Sequence, residues 1–90
     1  MKAIVSVLGS DRPGIVATVS TVLYEAGANS LDLSQTVMGN KIFAMTMWVD
    51  LDGCTIPFTV LKENLDAASR ELGMEIRIQR EEIFNSMYRV

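Results

Sequence analysis

A chain of 90 residues with a net charge of −3 is a single domain, and at this length folding buries only roughly 60–65% of the extended chain's surface, too little to enclose a two-lobed catalytic cleft in one copy. Its 49% hydrophobic and 21% charged residues exclude disorder, and the acidic balance argues against a nucleic-acid-binding face, which needs clustered Lys and Arg. With no His and one Cys, imidazole acid–base chemistry, His-ligated metals, Cys-cluster metal sites and an internal disulfide are excluded as well.

The start, Lys2-Ala3-Ile4-Val5, meets Asp11-Arg12 too soon for the apolar stretch of about 7–15 residues that a secretion signal carries. No run approaches the ~20 apolar residues of a membrane span. A lone thiol at Cys54 fits a reducing compartment. The expectation is a cytoplasmic protein with no membrane contact and no cofactor.

Lys2 to Leu8 reads as the first strand. Ala3, Val5 and Val7 fall on one face, Ile4, Ser6 and Leu8 on the other, and two apolar faces predict a central position. Gly9-Ser10-Asp11-Arg12-Pro13-Gly14 breaks it. A helix to about Ala26 follows, with Ile15, Val19, Val22, Leu23 and Ala26 as its buried stripe. Gly27 sits where a helix takes a left-handed stop. Asn29 to Met38 reads as a second strand at an edge with one wet face, because Leu31 and Leu33 alternate with Asp32 and Ser34.

Gly39-Asn40 marks a hairpin turn. The third strand, Ile42 to Leu51, is apolar on both faces and so again central. Asp52 to Thr55 is a loop, and Pro57 opens a second helix whose buried stripe is Phe58, Leu61, Leu65, Ala68 and Leu72. Gly73 ends it. Met74 to Arg80 is the last strand, with Met74, Ile76 and Ile78 inward. The tail, Glu82 to Tyr88, suits a short helix with Ile83, Phe84 and Met87 packing at one edge.

The order β-α-β-β-α-β with right-handed crossovers places both helices on one face of a four-stranded antiparallel sheet, the ferredoxin-like α+β arrangement. The opposite face then carries Ile4, Leu8, Ile42, Ala44 and Trp48, with Ser6 and Thr46 among them. Such a patch predicts self-association, sheet to sheet or edge to edge, as a two-fold dimer. The plainer alternative is scattered exposed apolar side chains, which are common.

The candidate binding loop is Ser10-Asp11-Arg12-Pro13-Gly14-Ile15. Free backbone N–H groups and the positive end of a helix dipole attract a carboxylate there. Gly14 lets a ligand approach the backbone closely, and Asp11 can accept hydrogen bonds from an ammonium group. Together they suit the two charged ends of an amino acid. The alternative is structural: Ser10 or Asp11 caps the helix and Pro13 starts it. Asn29 can hydrogen-bond a ligand near the loop of a partner chain, or simply be a turn residue after Gly27-Ala28.

Gly9 to Val16, followed by Gly27-Ala28-Asn29, resembles an ACT domain, and the likeness covers nearly the whole chain. Met1-Lys2-Ala3-Ile4, Ser34-Gln35-Thr36-Val37 and the tail Ile83-Phe84-Asn85-Ser86-Met87 are similar to small free-standing ACT proteins related to the glycine-cleavage-system regulator. The resemblance implies regulatory binding of a small ligand, usually an amino acid, between domains that pair side by side. It also implies that Asp11 and Asn29 stand at ligand-contacting positions of serine-binding members. This chain departs from those members in having Asp11 where they have Asn, and Gly9 where some have His. ACT domains usually accompany an enzyme or a DNA-binding domain, for which 90 residues leave no room, so the expected target is a separate protein.

Rival readings fare worse. Ser10, Asp11 and Arg12 include no nucleophile with a base beside it, so no enzyme is expected. Phe43 and Trp48 fall on opposite faces of the third strand with no basic run, unlike an RNA-binding sheet. Cys54 alone lacks the paired thiol of a metal chaperone, and Met45 and Met47 read as core filler. A ligand-free protein–protein interaction module of the same fold stays open.

Overall fold

A computed structural model describes residues 1–39 and 41–82. Its elements are β1 (Lys2–Ser10), α1 (Ile15–Ala26), β2 (Asn29–Met38), β3 (Ile42–Asp50), α2 (Phe58–Leu72) and β4 (Glu75–Arg80). All strand pairs are antiparallel, in the order β2-β3-β1-β4. The α+β ferredoxin-like fold is therefore as the sequence predicts, with β1 and β3 central. The expected tail helix, Glu82 to Tyr88, lies outside the described residues except for Glu82, which is helical, as is Glu81 before it.

The core forms where the apolar periodicities meet. Ala3, Val5 and Val7 of β1, Phe43, Met45, Met47 and Val49 of β3, and Ile76 and Ile78 of β4 face Ile15, Val19, Leu23 and Ala26 of α1 and Leu61, Leu65, Ala68 and Leu72 of α2. No polar side chain is buried among the described residues, so hydrophobic burial, roughly 1.5–3 kcal/mol for each large aliphatic side chain, holds the two layers together. Val22, expected in the stripe of α1, is only partly buried.

β1 runs two residues further than the sequence suggests: Gly9 pairs with Phe43 and Ser10 with Ile42. Gly9 continues the strand, and its missing Cβ makes room for Met74, whose sulfur would lie 2.6 Å from a Cβ there. The glycine admits close packing within a strand. At the other end of α1, Gly27 has φ of 85°. Its N–H donates to the Tyr24 carbonyl and that of Ala28 to the Leu23 carbonyl, the paired bonds of a left-handed helix stop.

β2 corrects one expectation. It is an edge strand, but it has two wet faces, since all ten of its residues are exposed. Leu33, Gln35 and Val37 lie opposite Met47, Met45 and Phe43 and so share the helix-side face, yet the helices do not cover them. A register shift between Ser30 and Asp32 also interrupts the alternation.

Candidate functional site

The loop from Ser10 to Gly14 leaves the top of the sheet, beside the β2–β3 hairpin. Ser10 ends β1 opposite Ile42, and the Asp11 N–H donates to the Lys41 carbonyl at 2.7 Å. Lys41 has φ of 61°, and its own N–H donates to the Met38 carbonyl, closing the hairpin. The loop is thus fixed to the end of β2.

Arg12 is fixed to a different element. Its Nη1 donates to the carbonyl of Leu72 at 2.9 Å, at the C-terminal end of α2. A cation there satisfies a carbonyl that has no helical partner and meets the negative end of the helix dipole. No local pattern signals this contact, because sixty positions separate the two residues. Its effect is to hold the loop against the helix layer.

Gly14 is the residue from which α1 starts. With φ of 85° it stands in the left-handed region, and nothing lies within 4 Å of the place a Cβ would occupy. The first helical bond is from the Thr18 N–H to the Gly14 carbonyl, at 2.9 Å. No side chain caps the helix and no acidic residue stands in its first turn. The capping role open to Ser10 and Asp11 is therefore not the one they take here. The first N–H groups of α1, those of Ile15, Val16 and Ala17, have no intrahelical acceptor. Ser10, Asp11, Arg12, Pro13 and Gly14 are exposed, whereas Ile15 is buried, so Ile15 offers only its backbone to a ligand.

Asn29 is not beside this loop in the same chain. It pairs with Asp50, which pairs with Lys2, at the bottom of the sheet. Eight residues of β1 separate that level from Ser10, about 26 Å at the usual rise per residue. A site using both Asp11 and Asn29 needs a second copy to supply one of them.

Other features are secondary. Cys54 lines a small, partly open pocket of about 130 Å³ with Met1, Leu51, Ile56, Phe58 and Leu61. Burial pushes its thiol pKa up, and the Asp50 carboxylate adds to the shift. The N-terminal amine and Asp52 form an exposed ion pair, whose hydrogen bond raises the pKa of the amine and lowers that of the carboxylate. Among the described residues, no group of three or more Cys, Asp or Glu is placed to hold a metal ion, and no helix is long and apolar enough to cross a membrane.

Residues 2–79 match the family model of the ACT domain. The chain is 48% identical over 89 residues to the UPF0237 protein MJ1558 of Methanocaldococcus jannaschii, covering 99% of this chain and 98% of that one. It is similar in structure to an ACT domain protein from Streptococcus pneumoniae, with a TM-score of 0.80 and 42% identity over 98% of both chains. It also resembles the regulatory subunit of aspartate kinase from Thermus thermophilus, with a TM-score of 0.67 and 28% identity over 87% of this chain and 50% of that subunit.

Proposed function

The chain belongs to the ACT domain family, a regulatory fold that commonly binds amino acids, and on that premise we propose that it senses an amino acid at the seam of a homodimer and acts on a separate protein. The observation that carries the reading is the state of β2. Ten exposed residues with one unpaired edge, among them Leu31, Leu33, Val37 and Met38, make a template for a second strand. Two copies of β2 pairing antiparallel about a two-fold axis run the sheets into one.

That pairing also solves the separation of Asp11 from Asn29. In an antiparallel pair, the partner's Asn29 comes to the Met38 end of β2, the end to which the Asp11 loop is fixed. Met38 pairs with Ile42, and Ile42 with Ser10. Three strand spacings, about 14 Å, then lie between Ser10 and the partner's Asn29, room for a small amino acid between two side chains. Its carboxylate meets the uncapped N–H groups of α1, its ammonium meets the Asp11 carboxylate, and the partner's Asn29 amide completes the contact. Gly14 keeps the approach to the backbone open. The compartment that fits the reading is the cytoplasm, and the chemistry needs no cofactor.

Calorimetric titration and thermal shift across the amino acids test the proposal. One of them stabilises the protein, by roughly 2.7 kcal/mol at 100-fold excess over its dissociation constant for a single site, and the gain is lost in Asp11→Ala and in Asn29→Ala. The loop also supports a second reading, a ligand-free interaction module, because the Arg12 contact to Leu72 gives part of the motif a structural role. On that reading no amino acid shifts the melting point, and Asp11→Ala leaves regulation of the partner intact.

A further inference from the structure

The loop between β1 and α1 touches the end of α2 twice. Arg12 Nη1 donates to the Leu72 carbonyl at 2.9 Å. Gly9, at the entry to the loop, lies against the residue that follows the helix stop: a Cβ on it would stand 3.3 Å from the Met74 Cα. Between these two points the Asp11 N–H donates to the Lys41 carbonyl.

The end of α2 is itself a closed turn. Gly73 has φ of 66°, and its N–H and that of Met74 both donate to the Ser69 carbonyl, while the Ser69 hydroxyl donates to the Met74 carbonyl. Those bonds leave the Leu72 carbonyl without a donor from its own helix. A guanidinium supplies one, and brings a positive charge to the negative end of the helix dipole. Leu72 and Met74 are buried, so the turn is seated on the core and gives Arg12 a firm anchor.

We propose that Arg12 is a positioning residue that couples the amino-acid site to the turn from Ser69 to Met74. The inference rests on the amino-acid reading of the loop and adds to it where the bound state is felt. Arg12 stands between Asp11, whose carboxylate receives the ammonium on that reading, and Pro13-Gly14, from which α1 starts. With its guanidinium held by Leu72, the backbone on either side of Arg12 is held too, and the Asp11 carboxylate keeps a constant spacing from the first N–H groups of α1. With Arg12 released that spacing varies, and a zwitterion that needs both ends binds less well. Binding and the docking of Arg12 then favour each other by the same factor, because coupling between two equilibria is reciprocal. Amino-acid binding thus tightens the Arg12–Leu72 bond and steadies the turn. Arg70, Glu71, Gly73 and Glu75 around it are exposed. The corner where α2 meets β4, at the opposite edge of the sheet from β2, is therefore a surface whose rigidity follows the ligand and which a regulated protein can read.

Amide hydrogen exchange in the full chain, resolved by nuclear magnetic resonance, tests this, with a mixture of the common amino acids at millimolar levels as the probe. In the parent protein the mixture slows exchange at Ile15, Val16 and Ala17, and also at Gly73 and Met74, there by about 5-fold or more, the lower end of ordinary coupling between sites. In Arg12→Ala the protection of Gly73 and Met74 is lost, and about 5-fold more of the mixture is needed to protect the start of α1. Arg12→Lys, which keeps the charge and a donor, recovers part of both. If Arg12→Ala speeds exchange without the mixture but leaves the protection of Gly73 and Met74 by the mixture in place, Arg12 is merely structural and the proposal is overturned. Protection of Ile15, Val16 and Ala17 with none at Gly73 and Met74 in the parent protein overturns the coupling and leaves the amino-acid reading standing. Protection at neither place overturns both.

Discussion

β4 and β2 are the two edges of one sheet, and they are built in opposite ways. β4 has six residues, with Ile76 and Ile78 buried. Its outward side carries Glu75 and Arg77, paired with each other at 2.6 Å, and Arg80 ends it with its guanidinium 5.3 Å from the Phe58 ring centroid. A short, charged edge resists pairing with another chain. β2 has ten residues, all exposed, and a single charge, Asp32. The difference teaches that this fold guards one edge and offers the other. On the proposed reading, self-association through β2 would leave β4 free and so would give a closed dimer rather than an open array.

The largest test removes the cover of β4. Leu65 of α2 is 1% exposed and lines the cleft between α2 and β4 together with Ile76 and Ile78. Leu65→Ala is expected to cost about 2–5 kcal/mol in chemical denaturation, the transfer of the side chain plus the cavity it leaves. A change within 0.5 kcal/mol, the ordinary range of a surface substitution, would show that the two edges are not differently covered.

The next test uses two glycines with the same backbone and different surroundings. Gly27, where the chain passes from the covered layer to β2, and Gly14, in the candidate loop, both have φ of 85°. A Cβ on Gly27 would lie 2.4 Å from the Gly53 carbonyl oxygen, while one on Gly14 meets nothing within 4 Å. Left-handed backbone costs an alanine roughly 1–2 kcal/mol at either position. Gly27→Ala adds a backbone clash and is the more destabilising of the two in urea melts. Gly14→Ala stays near the conformational cost alone, but on the proposed reading it should weaken the amino-acid response in calorimetry, because the methyl group enters the approach to the α1 N–H groups.

This contrast also shows what the sequence makes legible. The centrality of β1 and β3 could be read from apolar residues at both parities, a local signal. The left-handed stop at Gly27 was equally local. The bare helix-side face of β2 was not, because alternation records which side chains share a face and not whether another layer reaches over it. The register shift between Ser30 and Asp32 further changes the parity, placing Ser30 and Leu33 on one face, opposite Val49 and Met47. At the site, the sequence leaves open whether the start of α1 is bare or capped by Ser10 or Asp11, and the anchoring of Arg12 to Leu72 and of Asp11 to Lys41 depends on contacts between distant segments.

A third test charges the offered edge. Leu33 and Val37 are 38% and 55% exposed. Replacing each by Lys is expected to change the stability of the monomer by no more than about 0.5 kcal/mol per site. Sedimentation should nevertheless show the Leu33→Lys, Val37→Lys protein as a monomer at concentrations where the parent is a dimer, since like charges then face each other across the two-fold axis. Loss of the amino-acid response in the same variant would tie the ligand site to the seam. A dimer that survives both charges would place the interface elsewhere.

The smallest expected effect lies in the covered half, at Cys54. Its thiol packs against the core near Ile56 and Phe58, and burial, with the Asp50 charge as the lesser cause, raises its pKa. The thiolate is the reactive form, so alkylation at mildly alkaline pH should be slower than for a small-molecule thiol, with its inflection displaced to higher pH. Asp50→Asn should move that inflection part of the way back. The sign for stability follows from proton linkage: the folded state holds this proton more tightly than the unfolded state. The contribution is complete below the ordinary thiol pKa and is lost as pH rises through the raised one. A Cys54→Ser protein should lack that alkaline decline, and neither change should alter the monomer–dimer balance, because Cys54 joins Leu51, Ile56, Phe58 and Leu61 in lining a pocket and is no part of the exposed edge of β2. An effect of Cys54→Ser on dimerisation would mean that the covered half and the offered edge are coupled through the turn at Gly27 and Gly53.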